Sequence, residues 1–184
     1  MLTDTSLTDL SHHTAIRLKR ILTEHLRPVI ARPILIVCLG TDRSTGDSFG
    51  PFTGSLLHSL TSYPYIYGTL SHPIHRQNYF DKMTALHHRF PHGYIIAIDA
   101  SLGKSDDIGH IRIREGSIRP AGAFSKELPP IGNLAVTGIV GASGIHDYQT
   151  LQSARLSLIL SMASQLAETL SHALTTLHIQ KDIG

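Results

Sequence analysis

Hydrophobic residues along the chain fall into two patterns: short runs that are apolar at every position, and longer stretches that are apolar about once per helical turn. Ile34 to Leu39 and Tyr94 to Ile98 are of the first kind. A strand buries every side chain only when both of its faces are covered, so these runs predict central strands of a parallel sheet flanked by helices. Leu134 to Val140 predicts a further strand, and Tyr65 to Leu70 a short one. The second pattern predicts four helices. The first spans about Asp9 to Arg27, with Ala15, Leu18, Leu22 and Leu26 on one stripe and Pro28 closing it. The second runs from Pro51 to Leu60 and buries Phe52, Leu56 and Leu60. The third follows Asn78, with Tyr79, Met83, Leu86 and Phe90 in register. The last is a long closing helix from Thr150 to about His178, whose Leu151, Leu158, Met162, Leu166, Leu170 and Leu177 face inward.

Strands and helices that alternate at these lengths imply parallel strands joined by helical crossovers, and hence an α/β fold. Beyond Asp99 the pattern changes. Ile111 and Ile113 alternate with Arg112 and Arg114, which predicts an antiparallel hairpin with one wet face. Proline and glycine interrupt Arg119 to Pro130 too often for a regular element, so a long surface loop is expected there, a candidate substrate flap. With 184 residues, 41% of them apolar, the chain suffices for one core and is short for two. A single domain over 1–184 is expected, with an N-terminal helix within 1–30 and a core over 33–178.

Composition narrows the function. The net charge is +2 and the basic residues are scattered, without the clustered Lys/Arg footprint of a nucleic-acid binder. No apolar run approaches a membrane span, and the first residues lack the features of a signal peptide, so a cytoplasmic protein with no membrane partner is expected. Cys38 is the lone cysteine; inside a predicted strand it reads as a buried structural thiol. Thirteen histidines raise the question of metal. No His-Glu-x-x-His or Cys/His finger spacing occurs, so no metal ligand is assigned and most of these histidines are expected at the surface.

The candidate chemistry lies in the polar, glycine-punctuated loop from Leu39 to Pro51, just past the end of a buried strand, where open α/β sheets place their ligands. It is not a phosphate loop. Gly40 and Gly46 stand one residue too far apart for a Walker A motif, and Asp47 occupies the place of its lysine. Neither Ser44 nor Ser48 lies in G-x-S-x-G, and Ser48 reads as a turn residue. In a parallel sheet Asp47 and Asp99 fall at neighbouring strand ends. Two carboxylates brought together there share a proton over part of the pH range and supply both an acid and a base for amide hydrolysis. Spacing alone equally allows Asp99 to cap a turn and Asp47 to cap the helix near Pro51. Asp42 and Arg43 either pair with each other or enter the cluster, and Asn78 is either a helix cap or a pocket residue. Lys104 and Lys126 are candidates for neutralising charge.

Val37 to Pro51, Ile98 to Gly103, Lys126 to Pro129 and Thr137 to Val140 resemble the corresponding stretches of the YyaC-like sporulation family, over roughly residues 33–163. That family resembles the spore germination proteases and, more remotely, the hydrogenase maturation endopeptidases. The resemblance implies a three-layer α/β/α sandwich with a mostly parallel central sheet, of the phosphorylase/hydrolase-like kind. In the germination proteases, an aspartate in a Pro-Asp-Ala-Leu-Gly-Pro setting and another in an Ile-Asp-Ala setting form the catalytic pair. Gly46 to Pro51 matches the first and Ile98-Asp99-Ala100 the second, which places those roles on Asp47 and Asp99. The maturation enzymes add a downstream histidine to grip their substrate's nickel. Here Asn133 to Gly138 offers none, and His146 lies beyond the strand. The resemblance therefore implies a cytosolic endopeptidase of a sporulating bacterium that acts on a protein or peptide without a cofactor, with Thr41, Asp42, Arg43, Ser44 and Asn78 shaping the pocket. Two other readings stay open: a metal-assisted hydrolase or metal sensor using Asp47, Asp99 and a histidine, and a catalytically silent peptide-binding protein. Residues before Pro33 are expected to pack on the chain's own sheet, with pairing into a homo-oligomer as the alternative.

Overall fold

A computed structural model of the chain describes residues 5–7, 12–63, 65–120 and 128–183. The two all-apolar runs form neighbouring strands at its centre, β2 (Ile34–Cys38) and β4 (Tyr94–Gly103). They pair in parallel, from Ile34 opposite Tyr94 to Cys38 opposite Ile98. Around them stand β1 (Thr5–Leu7), β3 (Ile66–Tyr67), β5 (Ile111–Glu115) and β6 (Leu134–Ala142), giving one six-stranded sheet in the order β1-β5-β6-β4-β2-β3. The pairings of β6, β4, β2 and β3 are parallel, and β5 runs antiparallel to both β6 and β1.

Alternation along the central strands divides the core in two. Ile34, Ile36, Cys38, Ile96 and Ile98 face a layer built from α1 (His12–Leu26), α2 (Phe49–Leu60) and α5 (Leu156–Ile183). Leu35, Val37, Ile95 and Ala97 face α3 (Tyr79–Arg89) through Tyr79, Met83 and Leu86. Each fully buried leucine or isoleucine contributes about 1.5–3 kcal/mol, so alternate residues of β2 hold the two layers on the sheet. The α/β/α sandwich with a mostly parallel sheet is as expected from sequence.

Several elements differ from the sequence expectation. The second helix begins at Phe49, two residues earlier than expected, and buries Phe49, Thr53 and Leu57, while Leu60 is half exposed. The buried stripe is rotated because glycines let the helix backbone touch its neighbours: a Cβ on Gly50 would collide with the Leu39 carbonyl, and one on Gly54 with that of Gly68. The strand expected over Tyr65 to Leu70 shrinks to β3, because at Gly68 the chain turns with φ +86° against the Cys38 carbonyl. The long closing helix is two helices, α4 (Asp147–Gln152) and α5. The break lets Leu151 of α4 close over Gly46, where a Cβ would lie 2.7 Å from the Leu151 carbonyl oxygen. The Ile111/Arg112 alternation does mark a half-wet antiparallel strand, but β5 and β6 are joined by 116–133 rather than by a tight hairpin turn. That connection is drawn in by a two-way backbone pairing of Ile118 with Ile131. The central part of the expected flap, residues 121–127 with Lys126, lies outside the described residues.

Candidate active site

The order of strands creates the site. From β2 the chain crosses through α2 to β3 on one side, and from β3 through α3 to β4 on the other, so the connections leaving β2 and β4 part from one another. Crevices at such switch points, beyond the carboxyl ends of the strands, are where open α/β sheets bind ligands. The parting is visible bond by bond. Leu39 N–H donates to the Ile98 carbonyl at 2.7 Å, and Gly40 then swings away with φ +130°, donating to the Ile74 carbonyl at 2.9 Å.

Strand β4 does not end there. It runs on beside β6 to Gly103, so Asp99 is not a strand tip, as the apolar pattern suggested, but lies within the strand opposite Thr137. The continuing ladder to β6 carries it past the end of β2. Alternation places Asp99 on the face of Ile95 and Ala97, towards α3, where it is 8% exposed. Its Oδ1 accepts the Ala100 N–H at 2.9 Å.

Asp47 comes from the other side, in a 3-10 turn (Gly46–Ser48) that leads directly into α2. The loop is clamped by its own backbone: Thr41 N–H donates to the Asp47 carbonyl at 3.2 Å and Ser48 N–H to that of Ser44 at 3.0 Å. Neither this turn nor α2 has a side-chain cap, so the capping role considered for Asp47 is not seen. Asp47 and Asp99 instead line the same cleft, of about 390 Å³. Partial burial raises the Asp47 carboxyl above its ordinary 3.8, and the Ser44 hydroxyl beside it opposes that shift. Ser44 is 8% exposed, and its buried hydroxyl falls short of a full hydrogen bond to any described residue.

Of the expected pocket residues, Thr41, Arg43 and Ser44 line the cleft. Asp42 is exposed and is not among the lining residues. Asn78 also stays out. It precedes α3 without capping it; its side chain accepts the His75 N–H at 2.9 Å and donates to the Pro73 carbonyl at 3.0 Å, bracing the loop it belongs to. Lys104 is exposed and away from the cleft. Cys38 is fully buried in the core, where desolvation pushes its thiol far up, as suits a structural residue. His110 departs from the surface expectation: it is 7% exposed, with Nδ1 at 3.5 Å from Asp107. Among the described residues no three His, Cys, Asp or Glu side chains gather into a set able to hold a metal ion.

Sequence reasoning missed several walls of the cleft. Tyr79 reads as core from its helical spacing, and it is buried, but its hydroxyl also reaches across to donate to the Pro129 carbonyl at 2.7 Å. Burial, then the Asp99 charge, push that phenol to about 12, so it stays a donor at any physiological pH. His75 and Arg76 enter from the polar loop before α3, whose position beyond a strand end was the available signal. Tyr148, Leu151 and Gln152 enter from α4, hidden by a periodicity that merges α4 with α5.

The fold defined by this sheet and its switch-point cleft is that of the hydrogenase maturation proteases. The structure is similar to the crystal structure of a [NiFe] hydrogenase maturation protease, HycI from Thermococcus kodakarensis KOD1, with a TM-score of 0.53 and 20% identity, covering 82% of this chain and 99% of the other. Within that fold the chain belongs to the family described as a protein of unknown function (DUF1256), whose pattern it matches over residues 7–169. It is 43% identical over 157 residues to the uncharacterized protein YyaC of Bacillus subtilis (strain 168), covering 84% of this chain and 76% of that protein. Among the described residues no helix is long and apolar enough to cross a membrane.

Proposed function

We propose that this protein is an endopeptidase of the spore germination protease type, a single domain acting in the cytoplasm of a sporulating bacterium on a protein or peptide substrate. The observation that carries this reading is the convergence of Asp47 and Asp99 on one cleft at the switch point of the sheet. Their roles follow from their surroundings. Asp47, whose burial favours retention of its proton, is the general acid that protonates the leaving amine. Asp99, oriented by the Ala100 N–H, is the base that activates a water against the scissile carbonyl. Thr41, Arg43 and Ser44 hold the substrate backbone beside them. The solved maturation protease on the same fold makes peptide-bond cleavage a chemistry this scaffold supports, and the lone buried Cys38 suits a reducing compartment.

The test is cleavage of a proteome-derived peptide library, read by mass spectrometry. The wild-type chain yields a defined set of new termini. Asp47→Asn and Asp99→Asn each slow their appearance by about 10² to 10⁴, the usual worth of a positioned acid or base, while the circular dichroism spectrum is unchanged. Full activity in both variants would sink the reading.

A further inference from the structure

A second cavity, of about 530 Å³, opens at the carboxyl end of β3. It shares the wall residue Ile74 with the cleft but, unlike the cleft, has no carboxylate on its lining. Its inner side is apolar, made by the buried Ile66 and Ile74 together with Tyr67. Three basic side chains from three different elements stand around it: His58 on α2, His72 in the turn after β3, and Lys82 on α3, all exposed. No Asp or Glu lines it, and among the described residues Lys82 makes no ion pair.

The turn between the bases is ordered to present hydroxyls. Thr69 and His72 bond each other's backbone, at 3.3 and 3.2 Å, and the Thr69 Oγ1 also accepts the His72 N–H. Ser71 Oγ then sits 3.1 Å from Thr69 Oγ1 and 3.1 Å from His72 Nδ1. Ser55 Oγ on α2 accepts the Leu70 N–H at 2.8 Å and fixes the turn to the helix. Donors and positive charge on one side of a cavity with an apolar back, and no counter-charge built in, match a ligand with an anionic head and an apolar body.

We propose that this cavity binds an organic oxyanion, a phosphate or carboxylate group carried on a flat apolar body, the head meeting Lys82, His72 and the Thr69/Ser71 hydroxyls and the body lying on Ile66, Tyr67 and Ile74. The site is independent of the peptidase reading.

The experiment is titration of the ¹⁵N-labelled full chain with phenyl phosphate, benzoate and phenol, following amide shifts. The expected result is saturable movement of the amides of 66–72 and Lys82 with phenyl phosphate, benzoate or both, the tighter of the two identifying the headgroup, and none with phenol. Lys82→Gln and His72→Gln, both surface changes, each weaken that binding at least fivefold, whereas Asp47→Asn leaves it as in the parent. Absence of saturable shifts with either anion, equal binding of phenol, or parental affinity in both Lys82→Gln and His72→Gln overturns the proposal.

Discussion

Two hollows open at the same edge of one sheet, back to back across Ile74, and they are built on different physical terms. In the cleft at the β2/β4 switch point two carboxylates are drawn in from water, Asp99 at 8% exposed and Asp47 partly buried, with Arg43, His75 and Arg76 on the same lining. In the cavity beside β3 no carboxylate lines the wall, and the bases His58, His72 and Lys82 remain in solvent. A carboxylate out of water holds its proton differently from one in water, which is what acid–base chemistry requires. Bases left in water lose little to desolvation and act as a field that attracts and holds an anion. In their backbone the two hollows are alike: Gly40, Gly46 and Gly50 around the cleft are pressed against neighbouring backbone, as Gly68 is against the Cys38 carbonyl beside the cavity, where hydroxyls of Thr69 and Ser71 brace the turn as well. Helix α3 serves both hollows, with Tyr79 towards the cleft and Lys82 towards the cavity.

The sharpest way to break this contrast is at Gly40. Its φ of +130° disfavours any side chain, and a Cβ would run into the Asp47 carbonyl oxygen, which the backbone cannot easily withdraw because Thr41 N–H is bonded to it. Gly40→Ala is expected to cost about 2–5 kcal/mol, the sum of a strained conformation and a backbone collision, seen as a lower urea midpoint. The same change on an ordinary surface loop would be worth about 0.5 kcal/mol or less. A parental midpoint would show that the cleft loop is no more constrained than an ordinary surface loop.

That constraint marks the boundary of what the sequence discloses. The sheet could be read because β2 and the first half of β4 are apolar at every position, and that pattern arises when helices cover both faces. That Asp47 and Asp99 line one cleft could be inferred because parallel strands send their carboxyl ends to one edge. The extension of β4 could not, because Ala100, Ser101 and Gly103 carry no apolar alternation; they are held in the strand by partners on β6, far away in sequence. The registration of α2 was hidden for a similar reason. Helical periodicity counts large side chains, whereas the buried side of α2 includes Gly50 and Gly54, whose contribution is to let backbones touch. Asn78 illustrates a third case: a good capping residue in the capping position was claimed by its own loop, bonding Pro73 and His75 instead.

A smaller effect is expected at Tyr79, and it separates the two hollows along a single helix. Tyr79→Phe removes the donor to the Pro129 carbonyl and nothing from the Lys82 side. The loss is about 0.5–1.5 kcal/mol, the net worth of one hydrogen bond, and falls towards the lower end because Pro129 is exposed and water can replace the phenol. Denaturant titration gives the stability, and phenyl phosphate affinity should not move. A parallel loss of anion affinity would mean that α3 transmits changes between the hollows instead of serving each from its own face.

The smallest effect is the most diagnostic, because its sign distinguishes a working acid from a structural carboxylate. Burial raises the Asp47 carboxyl above 3.8 in the folded chain, while in the unfolded chain it titrates near that ordinary value. Below both values the group is protonated in either state and contributes nothing. As pH rises between them, the unfolded chain releases its proton first, so the folded state binds more protons and stability falls. Above the folded value the penalty is complete and constant. Asp47 therefore costs stability at neutral pH. Asp47→Asn, which keeps the shape and abolishes the titration, should be modestly more stable than the parent at pH 7, with the difference shrinking towards about pH 3. Ser44→Ala should act in the opposite direction at pH 7, because it removes the hydroxyl that eases ionisation of Asp47. A carboxylate retained to hold the fold would give the reverse result, with Asn less stable than Asp at neutral pH and the two converging in acid. Function bought with stability is the usual condition of a buried acid in a cleft. Parallel denaturation curves of the parent and Asp47→Asn at pH 3 and pH 7 therefore bear directly on whether the cleft is organised for proton transfer.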